Sequence, residues 1–195
     1  MQFLLATKNS GKAREIRSAL KDLNLKCESL LDREDLPEIA ESGSTFSENA
    51  RLKAAHYHRL TGIPTLADDS GLEVDALEGA PGVFSARFAP TDQGRIEKLL
   101  LLMSSIQEPS RRTAHFVCVI CLVLGGRTLE VTGRVDGEIA REPKGHNGFG
   151  YDPVFYYPPL RKTLAQMSLE EKGEISHRGR ALGELRRILR EEFEV

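Results

Sequence analysis

Apolar residues along the chain fall into short runs and helix-spaced stripes separated by polar turns. Phe3–Ala6 reads as a short buried strand. After it, Ala13, Ile16, Leu20 and Leu23 recur at helical spacing, which predicts an amphipathic helix from about Gly11 to Leu23. A second helix is predicted from Thr45, where Thr45 and Glu48 have the spacing of a capping box, to Leu60, with Gly62-Ile63-Pro64 ending it. Pro64–Ala67 is another apolar strand, and about Arg95–Met103 a third helix. Thr113–Leu124 and Arg127–Thr132 are rich in β-formers and joined by Gly125-Gly126, the signal of a two-residue hairpin. Asp152–Tyr157 predicts a short aromatic strand closed by Pro158-Pro159. Ala181, Leu182, Leu185, Ile188, Leu189 and Phe193 form the apolar stripe of a C-terminal helix. Strands mixed with helices, plus a long hairpin, predict an α/β or α+β fold with a mixed sheet. No repeat, low-complexity tract or linker interrupts the pattern, so residues 1–195 read as a single domain.

Composition narrows the function classes. Lys plus Arg is 27 against 29 Asp plus Glu, a formal net charge of -2, which argues against a nucleic-acid polymer or a membrane surface as partner. A local basic pocket for a small anion remains compatible with that balance. The longest apolar run, Phe116–Leu124, is far short of the ~20 residues that span a bilayer. The opening apolar stretch reaches Thr7-Lys8 too soon for a signal peptide, so a soluble, cytoplasmic protein is expected. Cys27, Cys118 and Cys121 are odd in number, and residues three apart on a strand face opposite ways, so Cys118 and Cys121 read as buried structural thiols.

Five polar segments could carry chemistry. Thr7-Lys8-Asn9-Ser10-Gly11-Lys12, between a strand and a helix, suits a phosphate, or is a polar turn with Ser10 as N-cap. On the second helix Lys53 falls inside the apolar stripe with Asn49 one turn earlier, so the lysine either snorkels to solvent or points at an anion. Asp68-Asp69-Ser70-Gly71 follows an apolar strand and could bind Mg²⁺ or orient water, or could simply turn the chain. Glu38, Glu41 and Glu48 could add a metal ligand. Gly145-His146-Asn147-Gly148-Phe149-Gly150-Tyr151-Asp152-Pro153 offers backbone access and a ring for stacking, from Phe149 or Tyr151, or is a glycine-rich hairpin with ordinary core aromatics. Ser176-His177-Arg178-Gly179 places donors at a helix start, or is simply an ordinary helix start with Ser176 as N-cap. A serine hydrolase lacks its GxSxG element, and the histidines show no zinc spacing with the cysteines. Taken together the segments describe an Mg²⁺-dependent nucleotide site.

These segments, with Ser44–Ala50 and Gly79–Arg87, occur in an order that resembles the inosine triphosphate pyrophosphatase family in its bacterial dITP/XTP form, over essentially the whole chain. The resemblance implies hydrolysis of ITP, dITP and XTP to the monophosphate and pyrophosphate with Mg²⁺. It also implies an elongated, two-lobed mixed α/β fold with a long central sheet and a cleft between lobes, and a homodimer. Carried over by position, Thr7, Lys8, Asn9, Ser10, Gly11 and Lys12 hold the triphosphate with Asn49 and Lys53. Asp69 is the proton acceptor and a metal ligand, with Asp68 and Glu41 as further metal carboxylates, and Ser70 touches substrate. Phe149, Gly150, Tyr151, Asp152, Lys172, His177 and Arg178 surround the base, the last donors pairing with its 6-oxo group. The alternatives are a Maf-type pyrophosphatase of pyrimidine or modified nucleotides and a non-catalytic nucleotide sensor.

Overall fold

The computed structural model describes the backbone of residues 1–193 and side chains through residue 191, so the Phe193 side chain of the C-terminal stripe lies outside the described residues. The strands are β1 (Gln2–Leu5), β2 (Lys26–Ser29), β3 (Thr65–Val74), β4 (Thr113–Leu124), β5 (Arg127–Ile139), β6 (Phe155–Tyr157) and β7 (Lys162–Thr163). The α-helices are α1 (Ser10–Ala19), α2 (Phe46–Thr61), α3 (Asp92–Leu102), α4 (Leu169–Ile175) and α5 (His177–Phe193). One sheet runs in the order β2-β1-β3-β4-β5-β6-β7. It is mixed, as expected: β1 pairs in parallel with β2 and β3, while β6 pairs antiparallel with β5 and β7.

The chain divides into two compact units, Met1–Asp69 with Cys118–Gly133 and His177–Val195, and Ser70–Val117 with Arg134–Ser176. Three of the boundaries fall inside strands β3, β4 and β5. Each unit has its own apolar core. In the first, Phe3, Leu5, Ile16, Leu66, Ile120, Leu122, Leu182 and Leu185 pack together with Cys118. In the second, Leu72, Val74, Leu99, Phe116, Val135, Tyr151 and Phe155 do so.

Local chemistry accounts for where elements begin and end. Both halves of the predicted capping box at Thr45 and Glu48 are formed, and Gly62 closes α2 in the left-handed conformation. Gly125 and Gly126, at φ 57° and 77°, make the hairpin turn between β4 and β5. Several expectations need correction. The aromatic strand begins at Phe155, not Asp152, and the third helix begins at Asp92, not Arg95. Asn9, not Ser10, caps α1, its side chain accepting the Lys12 N–H. The first helix ends at Ala19 rather than Leu23, although Leu20 and Leu23 still reach the core. Asp68-Asp69-Ser70-Gly71 lies inside β3, not in a turn after it, because both carboxylates find charged partners that make their burial tolerable. β5 continues to Ile139: Val131, Gly133, Val135, Gly137 and Ile139 alternate inward, but the two glycines conceal the period.

Gly133 also sets the start of α5. A Cβ there would lie 2.0 Å from the His177 carbonyl oxygen and 2.6 Å from the Ala181 nitrogen. The helix that carries His177 and Arg178 therefore rests directly on strand backbone.

Candidate active site

In the first unit the site grows from β3. Successive strand residues face opposite ways, so Asp68 and Asp69 enter two different environments. On the Asp68 side, its Oδ2 accepts from Arg178 Nη2 at 2.9 Å and Nε at 3.2 Å, and lies 3.1 Å from Lys12 Nζ. Arg178 Nη1 donates to Glu15 Oε2 at 2.5 Å. The Cys118 thiol completes the shell at 3.9 Å from the same Asp68 oxygen. Burial alone would raise the Asp68 pKa, but Lys12, Arg178 and Lys53 together hold its carboxyl well below the ordinary range. Burial likewise pushes the Cys118 thiol up to about 12, in keeping with the buried structural thiol expected there.

On the Asp69 side, Asn49 Nδ2 donates to Asp69 Oδ2 at 3.0 Å, while Asn49 Oδ1 accepts the Gly43 N–H at 2.8 Å. Lys53 Nζ donates to Glu41 Oε1 and to the Asp68 carbonyl, each at 2.6 Å, and lies 3.6 Å from Asp69 Oδ1. The lysine inside the apolar stripe thus points at anions rather than snorkelling. The Lys53 pKa is raised: desolvation works against its charge, but Asp68, Asp69 and Glu41 outweigh it. Asp69 moves the other way from its neighbour. Burial raises its pKa, with Lys53 and Lys12 pulling down and Glu41 adding to the rise.

The Thr7–Lys12 segment joins β1 to α1. Thr7 Oγ1 accepts the Asn9 N–H at 3.1 Å, and no acidic residue lies in the first turn of α1. Lys8, more exposed than Lys12, pairs with Glu38 at 2.9 Å. Oxygen donors from Glu41 and Asp69 converge on one ammonium group, so a cation already sits between them. That donor set fits Mg²⁺, which takes one or two carboxylates and completes its shell with waters and substrate oxygens. Among the described residues no group of three or more His, Cys, Asp or Glu side chains is placed to hold a metal by itself.

In the second unit the glycine loop is built around Asp152. Its Oδ2 accepts the Phe149 N–H at 2.9 Å and Lys172 Nζ at 2.5 Å. A Cβ on Gly148 would fall 2.0 Å from that oxygen, so the loop requires glycine there. Lys172 Nζ lies 4.8 Å from the centroid of the Phe149 ring, a cation–π contact. Gly150 carries φ 62°, and Ser70 follows Asp69 in β3. A cavity of about 530 Å³ is lined by Asp92, Gln93 and Ile96 of α3 and by His146, Asn147 and Phe149 of the loop.

Burial bears on several residues predicted to surround the base. Tyr151 is packed in the second core, the alternative reading of this loop, and its hydroxyl donates to the Ser85 carbonyl at 2.9 Å. Arg178 is fully buried with its guanidinium shared between Asp68 and Glu15. His177, at the first position of α5, is buried as well. Glu15 and Asp92 were not singled out from the sequence. The only available signal for Glu15 was its position one helical turn beyond Lys12.

Residues 3–188 match the model of the Ham1 family. A protein of an Exiguobacterium species named dITP/XTP pyrophosphatase is 49% identical over 186 residues, covering 95% of this chain and 95% of that one. The solved structure of a HAM1 protein from Coxiella burnetii superposes with a TM-score of 0.88 at 46% identity, covering 98% of this chain and 99% of that one. The Ham1 protein of Staphylococcus aureus gives a TM-score of 0.86 at 41% identity, covering 98% and 100%. No helix among the described residues is long and apolar enough to cross a membrane.

Proposed function

The chain belongs to the Ham1 family, and from that premise we propose that it hydrolyses the deaminated purine nucleotides ITP, dITP and XTP to the monophosphate and pyrophosphate, with Mg²⁺. The observation that carries the reading is the division of labour between Asp68 and Asp69. One is neutralised by Lys12 and Arg178; the other has a raised pKa beside Asn49, Lys53 and Glu41.

Asp69 is the proton acceptor. A water oxygen bonds to the α-phosphorus while the bridging P–O bond to the β-phosphate breaks. The electron pair of that bond leaves with pyrophosphate, and the water proton passes to the Asp69 carboxylate. Burial makes Asp69 a stronger base than an exposed carboxylate. Lys12, Lys53 and the backbone N–H groups at the start of α1 bind the triphosphate and stabilise the charge that develops on the leaving oxygen. Mg²⁺, when bound, supplies further positive charge to the phosphate oxygens, and Asp69 and Glu41 are the residues that would hold it. Asp68 is not given that role here, because its Oδ2 is already committed to Lys12 and Arg178.

Phe149, Gly150, Asp152 and Lys172 are assigned to the base. The Lys172 ammonium is a donor suited to the 6-oxo acceptor of hypoxanthine and xanthine. Adenine presents a 6-amino donor instead, which sets donor against donor and offers the ammonium no acceptor, a basis for rejection. Arg178 is given a different part, that of holding Asp68 in place.

The test is pyrophosphate release from ITP, XTP, dITP, GTP, ATP and dTTP, each with and without Mg²⁺. Turnover confined to the deaminated purines and dependent on Mg²⁺ is expected. Preference for dTTP would replace this reading with the Maf-type one, and binding without turnover would replace it with a sensor.

A further inference from the structure

Within the second unit, the loop that carries Phe149 is held from two sides, and only one of them belongs to the loop itself. Asp152 accepts the Phe149 N–H, and Asp152 is in turn bound by Lys172. The next N–H, that of Gly150, donates at 2.7 Å to Oδ2 of Asp92, a residue 58 positions away in sequence. Asp92 is the first residue of α3, and its other carboxylate oxygen accepts from Arg95 Nη1. Arg95 Nε donates to the Ala89 carbonyl at 3.0 Å, so the brace is itself anchored to the segment before the helix. Thr91, not Asp92, caps α3 by accepting the Gly94 N–H at 3.1 Å. The Asp92 carboxylate is therefore not needed as the N-cap.

We infer that Asp92 is a positioning residue for the purine base: by accepting the Gly150 N–H it fixes the backbone on which the Phe149 ring is mounted. The inference deepens the proposed function and rests on its assignment of Phe149 to the base. Gly150 has φ 62°, a conformation that glycine also leaves easily, so this peptide needs an external tether to hold one orientation. A charge-assisted hydrogen bond from a helix terminus supplies it. Asp92 also lines the cavity beneath the loop, together with Ile96 and Phe149. Loss of the tether lets the ring sample orientations that do not stack, which weakens base binding and leaves the phosphate chemistry intact.

The experiment compares Asp92→Ala, Asp92→Asn and a control on the exposed face of the same helix, Glu97→Ala, in the 195-residue chain. KM and kcat for ITP are measured alongside inhibition by inorganic tripolyphosphate, which has the phosphate chain and no base. Asp92→Ala is expected to raise the ITP KM about tenfold, the loss characteristic of a hydrogen bond to a charged group. Its kcat and the tripolyphosphate inhibition constant should stay within about twofold of the parent on the same basis. Asp92→Asn keeps an acceptor oxygen and should recover part of the loss. Hydrogen exchange at the Gly150 amide, measured without nucleotide, should quicken in Asp92→Ala and not in Glu97→Ala. An unchanged ITP KM, or a KM and tripolyphosphate constant that rise together, would overturn the inference. A parent protein with no ITP turnover would instead defeat the proposed function, and the Gly150 exchange would still report whether the tether exists.

Discussion

Two aspartates adjacent in β3 are both buried but differ in the charges around them. Asp68 is held ionised by Lys12 and Arg178, and its stabilisation is present above the ordinary carboxylate pKa and lost as pH falls toward its depressed value. Asp69 has the opposite sign. Its pKa is raised in the folded state, so its contribution is fully present below the unfolded value of 3.8 and lost as pH rises through the folded value. At neutral pH the Asp69 charge is therefore a stability cost, which the proposed role of proton acceptor would account for. Asp69→Asn is expected to lower kcat/KM for ITP by about 10²–10⁴-fold, the range for loss of a general base. The same variant should melt at a higher temperature than the parent at pH 7, a difference that shrinks toward pH 4. Equal melting temperatures at pH 7 would show that Asp69 is not strained by its burial.

At the scale of elements, placement depends on where the backbone can come close. The first turn of α5 lies on β5 at Gly133, and the atoms that a side chain would meet there are backbone, which cannot swing away. Gly133→Ala is expected to cost about 1–3 kcal/mol by overpacking, measured as a lower urea midpoint. Gly126, in the β4–β5 turn at φ 77° with open space around it, is the contrasting case. Asparagine tolerates that conformation better than most side chains, so Gly126→Asn should lower the midpoint by less than Gly133→Ala does. The hairpin turn and the α2 cap were legible in advance because all of their chemistry lies within a few residues: Gly125-Gly126 in one, Thr45 and Glu48 in the other. β2 was not, since Lys26–Ser29 is a short, largely polar strand whose stability comes from its parallel pairing with β1. The length of β5 was hidden for a related reason, its inward positions 133 and 137 being glycines with no side chain to show the period.

At the scale of the whole molecule, two apolar cores and one seven-stranded sheet support functional groups drawn from distant parts of the chain. Ligands that bind the folded form stabilise it by mass action. A non-hydrolysable ITP analogue with Mg²⁺ at 100 times its dissociation constant should add about 2.7 kcal/mol to the unfolding free energy. Chelating the Mg²⁺ with EDTA should remove most of that increment, and a nucleotide effect indifferent to EDTA would count against Glu41 and Asp69 as metal ligands.

The pattern along the chain was enough to determine the mixed α/β class, the three longest helices and the long hairpin, and it singled out the polar segments proposed to hold the site. Each of those depends on local periodicity, capping or turn chemistry. Tertiary structure alone decided which aspartate is neutralised and which is poised, because Lys12, Arg178, Asn49 and Lys53 come to β3 from α1, α5 and α2. It also decided that Tyr151 is core and that Arg178 braces a carboxylate. Electrostatic environment and burial depend on neighbours in space, and no run of adjacent residues specifies who those neighbours are.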